Sequence, residues 1–215
     1  MSTDMSSDEV RDPVRDPVRD PVADPVRVPP LPPEEWPEEM RDALAALRPA
    51  NPRHPFPPRD PSRPKGLNAL GTLAQHPELT RAYHTFNGHV LFATTLTPRQ
   101  RELLVLRVAA LRESEYEWAQ HAVLAADVDL GPGDLDRIRQ GPDAPGWSPL
   151  DRAMLRAVDE LVADAMITDD TWAALAGELE RVQLMDLVFT VGAYDLLAMA
   201  FKSFGVQLDA DLRPS

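Results

Sequence analysis

The stretch that decides the fold is PRQRELLVLRVAALRESEYEWAQHAVLA, residues 98–125. Thr97-Pro98-Arg99-Gln100 at its head has the form of a capping box with proline at the first helical position. Ser114-Glu115-Tyr116-Glu117 repeats the pattern and predicts a second helix start. Two helices are therefore expected, 98–111 and 115–128, joined by three residues and hence antiparallel neighbours. At the helical rise, Glu102 sits about 16 Å before the centre of the connection and His121 about 12 Å after it. The two differ in height by about one turn, within reach of a glutamate and an imidazole.

Helical period governs the surroundings as well. Leu67, Leu70 and Leu73 share a spacing, and Pro77 opens a helix through Leu79, Tyr83, Phe86 and Val90 to about Thr94. A short helix is expected from Gly131 to Gln140, one from Ser148-Pro149 to about Met166, and one capped by Thr168. The last runs from about Leu184 to Phe204 and stops at Gly205. It is apolar nearly all round, interrupted only by Asp186, Thr190 and Asp195, so burial on several sides and a subunit interface are expected. No alternating strand appears, and the class is all-α.

Proline sets the boundaries. Sixteen of the 23 prolines lie in residues 1–64. Residues 11–26 read RDPV-RDPV-RDPV-ADPV, and proline excludes helix there. The division expected is an extended, mobile arm over 1–33, a short helix with a proline-rich wrap over 34–65, a helical domain over 66–209 and a tail over 210–215.

Composition excludes several function classes. The chain has 215 residues and no cysteine, so disulfides, thiolate metal sites and thiol redox chemistry are unavailable. The net charge of −13 argues against nucleic acid as a partner. No membrane span and no signal peptide are read, and a cytoplasmic location is the expectation.

Ser114, Glu117, Trp118 and His121 follow i, i+3, i+4, i+7 and share a helix face. A glutamate and a histidine on one face beside an aromatic wall can move a proton. Arg107 is the only charge between Leu103 and Leu111 and can receive a carboxylate in bidentate fashion. It lies about 140° around its helix from Glu102, so the two do not both point into one pocket. The bland alternatives are a surface Glu117–His121 pair and a structural Arg107 bound to a carboxylate such as Asp195. A metal site of Glu102, Glu117 and His121 is weaker still, with a single histidine.

Residues 101–125, with Asp151-Arg152-Ala153-Met154-Leu155, Thr171-Trp172 and Gly192-Ala193-Tyr194, resemble the carboxymuconolactone decarboxylase family, whose superfamily includes the AhpD-type alkylhydroperoxidases. The resemblance covers roughly 66–209 and implies an AhpD-like helical fold in a homo-oligomer, a trimer or a hexamer. In the peroxidase branch a Cys-x-x-Cys-x-x-x-His helix works with a glutamate on the preceding helix. His121 and Glu102 match the histidine and the glutamate, while Ser114 and Glu117 stand at the cysteine positions. The resemblance therefore implies the cysteine-free branch and a cofactor-free lyase acting on a small conjugated lactone or carboxylic acid, with no metal. His121, Glu102 and Glu117 are expected to carry the proton chemistry. Arg107, Tyr116, Trp118 and Ser114 are expected at the substrate. The competing expectation is a non-catalytic binding or scaffold protein on the same fold.

Overall fold

The computed structural model describes residues 25–57, 60 and 63–213. The RDPV repeats before Pro25 lie outside the described residues. Among those described there are nine α-helices and no strand: α1 Met40–Ala45, α2 Leu67–Leu73, α3 Pro77–Gly88, α4 Pro98–Leu111, α5 Glu115–Ala125, α6 Pro132–Gln140, α7 Pro149–Asp164, α8 Asp169–Ala176 and α9 Arg181–Phe204.

The centre of the fold is α4. Leu103, Leu104, Val105, Leu106 and Val108 are wholly buried, enclosed by α5, α6, α7 and α9. Each such side chain contributes about 1.5–3 kcal/mol of burial, so this one helix organises the domain. Its start is held by the expected box: Thr97 Oγ1 accepts from the Gln100 amide at 3.2 Å, and Gln100 Oε1 accepts from the Thr97 amide at 2.9 Å. The helix expected to be buried on several sides, α9, is buried along one side only.

Several local expectations are corrected. The short helix expected at the start of 34–65 is split: a 3-10 turn at Pro33–Glu35 precedes α1, because Pro37 has no N–H to give a continuous helix. After Gly88, α3 widens into a π turn at His89–Ala93, closed by the Thr94 amide on the His89 carbonyl at 2.8 Å. The Ser114 box does not form, and α5 begins without a side-chain cap because Glu117 turns into the interior instead of back to the helix start.

The arm expected to be mobile through residue 33 is fastened from Arg27 onward. The amides of Arg27 and Val28 donate to the Phe204 carbonyl at 2.9 and 3.1 Å, and the Leu31 amide donates to the Gly71 carbonyl at 3.0 Å. Trp36 Nε1 donates to the Leu31 carbonyl at 2.9 Å, and a small core of Met40, Ala43 and Ala74 gathers Leu31 and Trp36. Proline explains this docking as well as the lack of helix: an extended segment keeps its remaining donors and acceptors for the body. Gly71 permits the contact, since a Cβ there would lie 2.4 Å from the Leu31 carbonyl oxygen.

Arg107 is the second organising group. Its Nε and Nη2 donate to the two oxygens of Asp159 at 2.6 and 2.9 Å, and its Nη1 donates to the carbonyls of Ile138 and Arg139 at 2.9 and 3.0 Å. It thereby ties α4 to α6 and α7, and Asp195 pairs with Arg112 instead.

Two outcomes follow from these contacts. Arg107→Ala lowers stability by about 3 kcal/mol, read as a shift in denaturant midpoint, and Arg107→Lys recovers little because an ammonium cannot form the fork. An unshifted midpoint in the alanine variant contradicts the clamp. Gly71→Ala, although the better helix former, frees residues 27–36, read as faster hydrogen exchange at the Leu31 amide.

Candidate functional site

The antiparallel α4–α5 pair turns at Arg112–Ser114, where Glu113 takes a left-handed conformation with φ of 50°. Across this pair His121 Nδ1 donates to Glu102 Oε2 at 2.6 Å. Glu102 is 1% exposed, a carboxylate inside the most apolar helix of the fold. Its other oxygen accepts from Arg101 Nε and Nη2 at 3.2 and 3.0 Å, while Arg101 Nη1 donates to the Leu91 carbonyl at 2.6 Å in the π turn. Burial works to raise the Glu102 carboxyl, but the charge and hydrogen bonds of His121 and Arg101 outweigh it and hold it below the usual range.

The Tyr194 ring from α9 meets the His121 ring at 5.0 Å in an edge-to-face arrangement. With Nδ1 committed to Glu102 and one ring face set by Tyr194, Nε2 is the nitrogen left to work.

One turn before His121 on the same face lies Glu117. It is 2% exposed, and neither oxygen has a hydrogen-bond partner of good geometry, nor does the buried Ser114 hydroxyl beside it. Burial pushes the Glu117 carboxyl up to about 7, against smaller downward pulls from Ser114 and His121 and with a further upward push from Asp195. Its orphaned oxygens are tolerable because the group spends much of its time neutral. Tyr83 of α3 is also near, its phenol raised by burial and by the Glu117 charge.

Four of the seven residues expected at the site thus come together: Glu102, Glu117, His121 and Ser114. The other three do not. Arg107 is consumed by Asp159 and two carbonyls on the α6–α7 side. Tyr116 points towards α2 and the C-terminal segment, where its hydroxyl donates to Asp209 at 2.6 Å and its ring meets Phe201. Trp118 is covered by the Arg139 guanidinium, 3.8 Å from the ring centroid. Arg101, Tyr83 and Tyr194 were not expected. Arg101 is next to Glu102 in the chain and by helical angle faces elsewhere, yet its long side chain folds back. Tyr83 and Tyr194 arrive from helices with no sequence spacing to α5.

Among the described residues, no three of histidine, aspartate and glutamate converge as metal ligands. Two open surface grooves, at Trp36–Leu44 and beside Trp147 and Arg152, lie away from His121.

The profile of the carboxymuconolactone decarboxylase family matches residues 77–160, which span α3 to most of α7 and contain Glu102, Ser114, Glu117 and His121. No curated protein matches the sequence. Several solved structures share the fold. A peroxidase-related protein from Ralstonia eutropha, described as an alkylhydroperoxidase AhpD core, is 18% identical with a TM-score of 0.67, covering 87% of this chain and 95% of its own. The debrominase Bmp8 is 12% identical with a TM-score of 0.63, over 86% and 94%. A peroxidase-related protein from Silicibacter is 14% identical with a TM-score of 0.58, over 77% and 95%. At these identities the likeness is one of fold. The family profile lies over the very helices that build the site: residues 77–160 match the carboxymuconolactone decarboxylase family model, in a cysteine-free chain with an AhpD-like fold.

Proposed function

We propose that the protein is a cofactor-free lyase that moves protons between Glu117, His121 and a small conjugated lactone or carboxylic acid, with decarboxylation as the leading reaction. The observation that carries this reading is the buried Glu102–His121 hydrogen bond with a neutral-prone carboxyl one turn away. In a decarboxylation the bond from the substrate carbon to its carboxylate breaks, CO2 leaves, and the electron pair enters the conjugated carbonyl. A proton must then return to carbon. Glu117 is the donor, since a carboxyl with a pKa of about 7 is half protonated at neutral pH and poised to give its proton up. His121 restores that proton through Nε2, and Glu102 holds the ring and stabilises its charged form.

Three guanidiniums of α4 and the turn after it are engaged: Arg101 with Glu102, Arg107 with Asp159 and Arg112 with Asp195. A substrate carboxylate entering the site is therefore weakly solvated, a condition that favours its loss as neutral CO2. The engagement of these three cations also favours a second reading, a non-catalytic protein that keeps the fold as a scaffold.

Incubation with a panel of conjugated lactones and acids in D2O separates the two. Release of CO2 with deuterium entering the product carbon is expected, and His121→Gln and Glu117→Gln should each slow it by about 10²–10⁴-fold. Arg107→Lys, per folded molecule, should leave the rate unchanged. If no member of the panel turns over or exchanges, the scaffold reading replaces this one.

Glu117 also leaves a signature in stability. Its folded pKa lies above the unfolded value, so the folded state holds the proton more tightly and stability falls as pH rises from about 4.5 to about 7. Glu117→Gln removes that fall and is the more stable protein at pH 8, by on the order of 3 kcal/mol. Parallel pH–stability curves for the two proteins would show that Glu117 is an ordinary carboxylate.

A further inference from the structure

Seven buried side-chain polar atoms among the described residues have no hydrogen-bond partner. Five of them are oxygens on segments that meet around the candidate site: Asn87 Oδ1 on α3, Thr190 Oγ1 on α9, and Ser114 Oγ with both Glu117 carboxyl oxygens at the head of α5. All four residues are more than nine-tenths buried, Thr190 being 1% and Asn87 8% exposed. Folded chains seldom leave such atoms unmet, so a cluster of them points to a group that the chain itself does not supply.

Their placement follows from one register. The segment from α3 into the π turn runs antiparallel to α9. The Tyr83 hydroxyl donates to the Ala193 carbonyl at 3.5 Å, the Phe86 and Phe189 rings meet at 6.1 Å, and His89 Nε2 pairs with Asp186 at 2.9 Å. Asn87 and Thr190 lie one residue inward of the phenylalanine pair, so they face each other across the seam. Tyr83 and Tyr194, four residues along each helix, share those faces. The Tyr194 ring meets His121, and the Glu117 charge acts on Tyr83 and Tyr194 alike. Glu117 and the Asn87–Thr190 pair therefore border one seam at levels about 6 Å, one helical turn, apart.

The orphaned oxygens also select a chemistry. Asn87 Oδ1 only accepts, whereas the Thr190 hydroxyl can both donate and accept. A hydroxyl is the group that satisfies both at once. An N–H would leave the Thr190 proton unmet, and a carboxylate would set one acceptor against another. We propose that the Asn87–Thr190 seam is the specificity end of the substrate site and takes a phenolic or enolic hydroxyl of the conjugated substrate, which donates to Asn87 Oδ1 and accepts from Thr190 Oγ1. The choice of Glu117 as the reacting end rests on the function proposed above; the binding of the hydroxyl does not. Access is by way of α3, which packs mainly on α1 and the π turn and only lightly on α5 and α9, so it can yield without disturbing the core around α4.

The probe is 4-fluorophenol, with 4-fluoroanisole, the same ring with its hydroxyl methylated, as control, both followed by fluorine NMR on the full chain. The phenol should bind at least tenfold more tightly than the anisole. Thr190→Val and Asn87→Leu should each weaken the phenol about tenfold, the worth of one hydrogen bond, and leave the anisole unchanged. Circular dichroism and denaturant midpoints establish that both variants fold, and Thr190→Val should be no less stable than wild type, since the hydroxyl it removes has no partner. Equal binding of the two rings, no binding of the phenol, or phenol binding indifferent to both substitutions would overturn the proposal. Phenol-selective binding that depends on Thr190 and Asn87, with no turnover of any lactone or acid, supports this site and overturns only the proposed reaction. Turnover of substrates without a hydroxyl as fast as those bearing one overturns the site and leaves the reaction standing.

Discussion

A carboxylate enclosed in an apolar helix has to be paired, and the pairing of Glu102 constrains everything around it. Breaking a buried ion pair costs about 3–5 kcal/mol, so α4 can occupy the centre of the domain only if His121 and Arg101 reach Glu102. His121 brings α5 against α4 in one register. Arg101 reaches on to the Leu91 carbonyl, which fixes the π turn after α3. Tyr194 closes the group from α9. The charge that makes the site chemically interesting is thus also the charge that sets how four segments meet.

Glu102 and Glu117 show how environment separates two like groups. Both are buried, and burial alone would raise both. Glu102 accepts hydrogen bonds from His121 and Arg101 and is held ionised. Glu117 has burial and the charge of Asp195 acting together against weaker pulls from Ser114 and His121, and its carboxyl rises to about 7. An ionised orienter and a neutral-prone acid flanking one imidazole form the minimum set for delivering a proton without cofactor or thiol. Where the resemblance to the peroxidase branch sets a cysteine pair, the chain carries Ser114 and Glu117, so that helix face has no thiol for electron chemistry, and in the proposed function it moves protons instead.

Arg107 and Arg101 show the limit of reading helices one at a time. Arg107 looked like the free cation because it stands alone in an apolar run. Its fork instead matches Asp159, fifty-two residues on, and the open carbonyls at the end of α6. Arg101, on the solvent-facing side by helical angle, is the arginine that reaches the site. A side chain with several rotatable bonds spans more than a helix radius, so angle around the axis does not settle where its charge lies.

Residues 98–125 were enough to predict the all-α class, the α4–α5 hairpin and the Glu102–His121 contact. Those depend on helical period, caps and a three-residue connection, which are local and additive. They were also enough to place Ser114 and Glu117 beside His121, because i, i+4 and i+7 neighbours share a face whatever surrounds them. Tertiary structure alone decided which helix lies at the centre, that Tyr116 serves Asp209 rather than the site, that Tyr83 and Tyr194 complete it, and that the arm is fastened from Arg27. It also turned the all-round apolarity of α9 into one buried face and one bare stripe. Each of these is set by partners distant in the chain, and burial, unlike helical period, is a property of the whole fold rather than of any segment.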